Sequence, residues 1–189
     1  PHVFDIWMKI LSKVEDSVLW LLEENPTSSQ NLKREATKRN INFERLIFTR
    51  KIEISEHLAR HKLADLFLDT FLVGAHTTCS DSLWAGLPLI TKTGSSFASN
   101  VSSSLLNAID LNELVTSNDL EYETLAVELA KDKKKLNQIK TKLSKHKMNK
   151  PLFNSKLFTK NIELAYKEIY NKYTNSLPSE NIELKTTEL

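Results

Sequence analysis

The sequence contains one cysteine, Cys79, among its 189 residues. A single cysteine excludes an internal disulfide framework and a cysteine-rich zinc site. It also suits a reducing compartment, so we expect a cytoplasmic protein. The formal net charge is only +2, and this balance gives no reason to expect nucleic acid or an anionic membrane surface as a partner.

Long apolar runs are also missing. No run approaches the roughly 18 residues that a membrane-spanning helix needs, and Asp69 and Asp81 bracket the most apolar region. Residues 1–5 lack the basic start and apolar core of a signal peptide, and there is no initiator methionine. We therefore expect no membrane span, and we expect the sequence to be a piece of a longer protein.

Patterns that carry hydrolytic or metal chemistry are absent as well. The sequence has no carboxylate pair suited to glycoside hydrolysis, no nucleophile elbow and no cluster with metal-ligand spacing. The lysine-rich run 131–150 holds nine lysines against one aspartate. Because no aromatic residues are interleaved with these lysines, the run favours a solvated helix face over a nucleic-acid site.

What the sequence does contain is an alternation of short apolar runs with helical patterns. The apolar runs predict strands at 18–22, 46–49, 66–68, 89–92 and 114–116. The helical patterns lie at 2–14, about 28–40 with Ser28 or Ser29 as the cap, 55–62, 76–85 and 97–107. This alternation predicts an α/β fold, a Rossmann-like parallel sheet with flanking helices and right-handed crossovers.

The chain is expected to have three parts. Residues 1–117 form the Rossmann-like lobe, 118–174 form a helical extension that packs on the same lobe, and 175–189 form a flexible tail. The last long helix carries an apolar stripe at helical spacing, made of Phe158, Ile162, Ala165, Ile169 and Tyr173. No internal repeat is present.

Segment 74–88 is the most informative part of the sequence. A short helix follows a buried strand and ends at Gly-Leu-Pro, and its first turn carries His76, Thr77 and Thr78. Unpaired amide groups at a helix start attract anions, and neighbouring hydroxyls add donors. The pattern predicts a phosphate site at the carboxyl edge of a parallel sheet, and the same residues also fit a simple helix cap.

Three further side chains are candidates for this site. Asp81 lies one turn after Thr77 and Thr78 on the same side of the helix, where a carboxylate suits paired hydroxyls such as those of a ribose. His57 and Arg60 are three residues apart on the preceding short helix and share a face. The alternatives are a helix-dipole contact for Asp81 and a solvated surface pair for His57 and Arg60.

The complete string closely resembles the carboxy-terminal catalytic lobe of the O-linked N-acetylglucosamine transferase family, glycosyltransferase family 41, which includes the plant SPINDLY proteins. The resembling motif is H-T-T, then Asp three residues on, then L-W-A-G-x-P. Other matching segments follow in the family's order: S-V-L-W-L-L at 17–22, R-L-I-F at 45–48, E-H-L-A-R at 56–60, L-A-D at 63–65, L-D-T at 68–70 and P-L-F-N at 151–154. The resemblance runs from Pro1 to about Tyr173.

The resemblance implies a function and a role for each candidate. It implies the carboxy-terminal lobe of a GT-B enzyme that transfers a sugar, N-acetylglucosamine in this family, from a UDP-sugar to Ser or Thr of a protein acceptor. It places His76, Thr77 and Thr78 on the diphosphate, Asp81 on the ribose, and His57 and Arg60 over the uridine. It implies no cofactor and no metal ion, and it assigns no catalytic base in this sequence.

The resemblance also shows what this sequence does not include. In the family, an amino-terminal catalytic lobe and tetratricopeptide helices lie upstream, and both are expected partners of this lobe. The family pattern also has a lysine just before the position of Pro1, which this sequence does not include. A second expected lysine is replaced by Ile54, and an expected arginine is replaced by Asn100. Both replacements remove positive charge near an anionic ligand, so we expect weaker UDP binding than the family pattern provides.

Three other functions stay open from the sequence. A bacterial UDP-glucose-dependent glucosyltransferase that modifies Asn would need the same donor pocket. Ile54 and Asn100 favour a non-catalytic module that binds a nucleotide sugar. A UDP-sugar epimerase shares the two-lobe architecture and is the most remote alternative.

The cysteine and the three tryptophans are expected to have structural roles. Cys79 is interpreted as a small filler, although a position near a helix start lowers a thiol pKa. Trp7, Trp20 and Trp84 belong to apolar patterns and are expected to pack in the core.

Overall fold

The structure, a computed structural model, describes residues 1–184. The helices are α1 His2–Lys13, α2 Pro26–Lys38, α3 Ile54–Arg60, α4 Thr77–Ala85, α5 Phe97–Ala108, α6 Asp119–Lys131, α7 Lys133–Asn149 and α8 Ser155–Thr174. The strands are β1 Leu19–Leu22, β2 Leu46–Thr49, β3 Phe67–Leu68, β4 Leu89–Lys92 and β5 Val115–Thr116. The predicted α/β fold is confirmed.

All strand pairs are parallel, but they form two groups. β1 pairs with β2, while β4 lies between β3 and β5. The prediction of one continuous sheet is therefore wrong at the level of hydrogen bonding within residues 1–184. Leu68 of β3 and Trp7 of α1 each contact both hydrophobic clusters, so side-chain packing joins the two groups.

The start of α2 differs from the prediction. Asn25 is the N-cap, and its side chain accepts a hydrogen bond of 2.8 Å from the amide of Ser28. Pro26 occupies the first helical turn, where its fixed φ suits a helix and its missing N–H is no loss. The prediction of Ser28 or Ser29 as the cap is wrong, because an asparagine followed by proline starts the helix earlier.

One hydrophobic cluster joins the sheet to the helices that follow it. Leu89 and Ile90 of β4 are fully buried. Leu129 of α6 and Leu143 of α7 are also fully buried and belong to the same cluster. Burial of such side chains contributes roughly 1.5–3 kcal/mol each relative to exposure, so α6 and α7 stabilise the sheet that carries the candidate site.

Helix α8 behaves differently from the other helices. None of its residues is buried, and Phe158 and Tyr173 of the predicted apolar stripe are 67% and 81% exposed. The stripe therefore covers no other element among the described residues. After α8, residues 175–184 form no helix or strand, and residues 185–189 of the predicted tail lie outside the described residues. Through Leu184, no helix combines the length and apolarity needed to cross a membrane.

Candidate functional site

Helix α4 begins directly after the loop that leaves β3. The loop, residues 69–76, carries the chain from the carboxyl end of β3 to the first turn of α4. Gly86 ends the helix with a left-handed φ of 89°, a conformation that glycine adopts without a steric penalty. Ser82 Oγ donates to the Leu87 carbonyl at 2.8 Å and fixes the return into β4. The local sequence therefore sets the carboxyl end of α4 and its return into β4.

The amino end of α4 presents hydrogen-bond donors to solvent. The amides of Cys79 and Ser80 donate to the His76 carbonyl. Within residues 1–184, the amides of His76, Thr77 and Thr78 and the hydroxyls of both threonines have no acceptor. Thr77 and Thr78 are exposed. The geometry thus supplies up to five donors, together with the positive end of the helix dipole, for an anion.

The His76 side chain is anchored to the following helix. Its Nε2 lies 3.2 Å from the Ala98 carbonyl, and its ring lies edge-on to Phe97 with a centroid distance of 6.1 Å. Since a carbonyl only accepts, Nε2 is the donor in this contact. The first turn of α5 therefore fixes the orientation of a side chain at the start of α4.

His57 and Asp81 are brought together by the packing of α3 beside α4. Burial lowers the pKa of His57, the charges of His61 and Arg60 lower it further, and the Asp81 carboxylate acts in the opposite direction. The His57 imidazole is therefore held neutral near pH 7. The Asp81 carboxylate has no hydrogen-bond or ion-pair partner among the described residues, so it is available to a ligand hydroxyl.

Arg60 lies against the neighbouring strands. Its guanidinium donates to the Arg50 carbonyl at 3.1 Å, and its centre lies 5.8 Å from the Trp20 ring centroid. Trp20 in turn donates to Thr49 Oγ1 at 2.7 Å. His57 is therefore near α4, whereas Arg60 contacts Trp20 of β1 and Arg50, the residue that follows β2. The two side chains share a helix but have different neighbours.

Cys79 is buried rather than activated. Its side chain is inaccessible to solvent, and burial, assisted by the negative charge of Asp69, raises the pKa of the thiol to about 12. A helix start tends to lower a thiol pKa, but for Cys79 the loss of hydration outweighs the helix dipole. Its interpretation as a small filler is consistent with this burial.

Trp84 is not a core residue. It is 50% exposed, lies edge-on to Phe153 with a centroid distance of 5.2 Å, and has the Lys147 ammonium 5.1 Å from its ring centroid. The prediction of a core position is therefore wrong for Trp84. The residue instead attaches the outer face of α4 to the segment after α7.

The two residues that replace expected cations have different surroundings. Ile54 begins α3 and is 61% exposed. Asn100 binds the loop before α5: its Oδ1 accepts from the Gly94 amide at 3.2 Å, and its Nδ2 donates to the carbonyls of Gly94 at 2.9 Å and Ser96 at 3.0 Å. Asn100 therefore orders this loop and supplies no positive charge.

Sequence reasoning missed the polar residues beneath the site. Asp69 is 1% exposed at the end of β3, and it binds the loop that leads to α4. A carboxylate that ends an apolar strand is the sequence signal that could have identified it, because buried carboxylates need hydrogen-bond donors. The lysines of α7 were interpreted as a solvated helix face. Several of them also form ion pairs with acidic residues, as Lys142 does with Glu113.

No group of three or more His, Cys, Asp or Glu side chains in residues 1–184 could hold a metal ion. Two shallow depressions lie along α7 and α8, and neither includes a residue of the candidate site. At the start of α4, Thr77 and Thr78 are exposed to solvent in this lobe. Enclosing a ligand at this position during a reaction would require another part of the protein to cover it.

Comparisons with known proteins identify similar chains. The family model described as glycosyl transferase family 41 matches residues 1–162. The Caenorhabditis elegans UDP-N-acetylglucosamine–peptide N-acetylglucosaminyltransferase is 32% identical over 182 residues, which are 96% of this chain and 16% of that protein. The Arabidopsis thaliana protein named "Probable UDP-N-acetylglucosamine--peptide N-acetylglucosaminyltransferase SEC" is 37% identical over 172 residues, 90% of this chain and 18% of that protein.

A solved structure has the same fold. A mutant O-GlcNAc transferase from Thermobaculum terrenum superposes with a TM-score of 0.87 at 29% sequence identity, covering 93% of this chain and 34% of that chain. The resemblance found in the sequence and the predicted GT-B type of lobe are confirmed. This chain spans less than a fifth of the length of the two curated relatives.

Proposed function

Because the chain belongs to glycosyl transferase family 41, we propose that it is the donor-binding part of an inverting protein glycosyltransferase. The donor is a UDP-sugar, UDP-N-acetylglucosamine, and the acceptor is a Ser or Thr hydroxyl of a protein. The observation that carries this proposal is the set of amides at His76, Thr77 and Thr78 and hydroxyls of the two exposed threonines, which have no acceptor within residues 1–184.

The proposed reaction explains why donors are needed there. The acceptor oxygen forms a bond to the anomeric carbon while the bond from that carbon to the diphosphate oxygen breaks. Negative charge builds up on the departing UDP. Fixed amides and hydroxyls at the start of α4 bind this charge more strongly in the transition state than in the ground state, and that difference accelerates the transfer.

The rest of UDP fits the neighbouring side chains. The unpaired carboxylate of Asp81 is a suitable acceptor for the ribose hydroxyls. The neutral imidazole of His57 and the guanidinium of Arg60 offer flat surfaces toward the uridine, and a guanidinium also stacks on aromatic faces. No described residue is proposed as the general base that removes the acceptor proton. No metal ion is needed in this proposal, because the helix end and the hydroxyls offset the diphosphate charge.

The proposal includes the amino-terminal catalytic lobe and helical repeats as further parts of the protein, located in the cytoplasm. The exposed apolar stripe of α8 supports the presence of a lobe that covers it, because a contiguous exposed apolar patch marks an interaction site. In the full-length protein, Phe158→Cys and Ile169→Cys should therefore resist a thiol reagent. Lys160→Cys, on another side of α8, should react. Equal reaction at all three positions would exclude a covering lobe.

The test of donor binding uses calorimetry with UDP on the full-length protein. The double variant Thr77→Ala/Thr78→Ala should bind UDP about tenfold or more weakly, since each hydrogen bond to a charged group contributes roughly 1.5–3 kcal/mol. Thr141→Ala is the matched control, because Thr141 lies on α7 and its hydroxyl bonds, among the described residues, only to the Asn137 carbonyl. Failure of the wild-type protein to bind UDP would end the proposal.

A non-catalytic nucleotide-sugar module is the second candidate. The observation that favours it is the replacement of two expected cations by Ile54, which is exposed, and by Asn100, which is engaged in a loop. Mass spectrometry of an acceptor protein incubated in parallel with UDP-N-acetylglucosamine and with UDP-glucose separates the candidates. Modification at Ser or Thr supports the transferase, modification at Asn supports the glucosyltransferase type, and UDP binding without modification supports the module.

A further inference from the structure

The carboxylate of Asp69 is the centre of a buried hydrogen-bond network. Its Oδ1 accepts from the amides of Thr70 at 2.8 Å and Ala75 at 2.7 Å, and its Oδ2 accepts from Thr91 Oγ1 at 2.7 Å. The Tyr122 hydroxyl donates to the Asp69 carbonyl at 2.8 Å. Both carboxylate oxygens are thus occupied by protein donors, so Asp69 does not itself face a ligand.

The two amides that share Oδ1 close the loop 70–74. At its tip, Leu72 has a φ of 75° and is 85% exposed. This left-handed conformation is unfavourable for a residue with a side chain, and Leu72 has no burial to compensate for it. Thr70 Oγ1 donates to the Val73 carbonyl at 2.7 Å and stabilises the bend. The Asp69 carboxylate therefore bonds both ends of the strained loop and holds them together.

Close packing joins this loop to α5. The Gly74 amide donates to the Ala98 carbonyl at 2.9 Å, and Ser102 Oγ donates to the Ala75 carbonyl at 2.6 Å. A side-chain carbon added at Gly74 would lie 3.0 Å from Asp69 Oδ2 and 3.3 Å from Ser102 Oγ. Space for the carboxylate therefore depends on glycine at position 74.

We infer that Asp69 is a positioning residue for donor binding: its carboxylate fixes residues 70–75, and thereby directs the amides of His76, Thr77 and Thr78 toward the diphosphate. This inference rests on the proposed function, because it concerns the same ligand. The connection is short. Ala75, bound by Asp69, directly precedes His76, so a shift of the loop moves the His76 amide, the first of the free amides at the start of α4.

Two substitutions at Asp69 separate geometry from charge. In Asp69→Asn, the amide oxygen keeps its acceptor role toward Thr70 and Ala75, and the amide nitrogen donates to Thr91 once that hydroxyl turns to accept. In Asp69→Ala, every side-chain bond is lost. The matched control is Asp65→Ala, since the Asp65 side chain is 84% exposed and, through Leu184, pairs only with Lys140.

The experiment is calorimetric titration of the full-length protein with UDP, which gives affinity and stoichiometry separately. We expect the dissociation constant to rise about tenfold or more in Asp69→Ala with stoichiometry near one, and to stay within about threefold of wild type in Asp69→Asn and Asp65→Ala. A purely structural role would lower the stoichiometry, through unfolded protein, and leave the dissociation constant unchanged.

Gly74→Ala keeps the test decisive if Asp69→Ala does not fold. It leaves the carboxylate in place but crowds Oδ2, so it should also raise the dissociation constant, by about threefold or more. Wild-type affinity in Gly74→Ala or in folded Asp69→Ala would overturn the positioning role, as would equal losses in Asp69→Asn and Asp69→Ala. Absence of UDP binding by the wild-type protein would instead overturn the proposed function.

Discussion

The ammonium group of Lys92 lies 2.7 Å from a carboxylate oxygen of Asp119 and 4.2 Å from the Phe71 ring centroid. Lys92 is the last residue of β4, at the sheet edge where the candidate site lies. Because Asp119 neutralises it, this lysine is a structural cation that links β4 to the start of α6. It does not replace the positive charge that is missing at Ile54 and Asn100.

The Lys92–Asp119 pair predicts a stability that depends on pH. The hydrogen bond and charge of Lys92 hold the pKa of Asp119 below its ordinary value of 3.8. A lowered carboxyl pKa stabilises the folded state above the ordinary pKa, and this contribution disappears as the pH falls through the lowered value. Asp119→Asn should therefore lower Tm by about 1–3 °C at pH 7, and this difference should shrink as the pH falls below the ordinary carboxyl pKa.

Differential scanning calorimetry at several pH values measures this effect. The control is Asp16→Asn, because Asp16 is exposed and has no ion-pair partner in the part of the chain that the structure describes. An equal decrease at pH 7 and at low pH would contradict the assignment to the carboxylate charge.

Cys79 should be unreactive in the folded protein. A thiol whose pKa is raised to about 12 is almost entirely protonated at pH 8, and its side chain is also inaccessible. Ellman's reagent should therefore label less than about a tenth of the protein within the time that denatured protein takes to react fully. Rapid labelling without denaturant would show that the helix end activates this thiol after all.

Leu143 tests whether α7 belongs to the same cooperative unit as the sheet. Its side chain is fully buried in the cluster that contains β4. Leu143→Ala should lower the free energy of unfolding by about 2–4 kcal/mol in urea titration. Leu120→Ala, at a leucine that is 71% exposed, should change it by less than about 0.5 kcal/mol. A negligible effect at Leu143 would place α7 outside the cooperative core.

Asp81 can be tested with a modified ligand. If its carboxylate binds the ribose, the wild-type protein should bind 2′,3′-dideoxy-UDP about tenfold more weakly than UDP. Asp81→Ala should bind both ligands with the same, reduced affinity, as competition binding would measure. Discrimination that persists in Asp81→Ala would assign the ribose to another residue. Asp65→Ala should keep the wild-type discrimination.

Local patterns predicted the elements of the fold well. The strands at 46–49 and 89–92 have the predicted bounds, because short apolar runs between turn residues determine them. The start of α4 differs from the prediction by one residue. Features that depend on distant residues were not predictable. The separation of β1 and β2 from the other strands depends on packing across the sheet, and no local pattern encodes it.

The candidate site was predictable only in part. The motif around His76 is contiguous, so the sequence placed its residues on one helix end. The contact of Arg60 with Trp20 joins residues forty positions apart, and the high pKa of Cys79 results from burial that no local pattern specifies. The sequence contains no sign that Asp69 binds Thr91, because this hydrogen bond forms only when two adjacent parallel strands pair.

Asn100 has a consequence for attempts to restore the family's arginine. A single change to arginine at this position would remove the three hydrogen bonds that hold the turn at Gly94. The added positive charge would then lie beside a turn that is less well ordered. A gain in affinity would require compensating changes in the turn itself. Asn100 and the residues of the turn would therefore have to be changed together, and neither change alone should improve UDP binding.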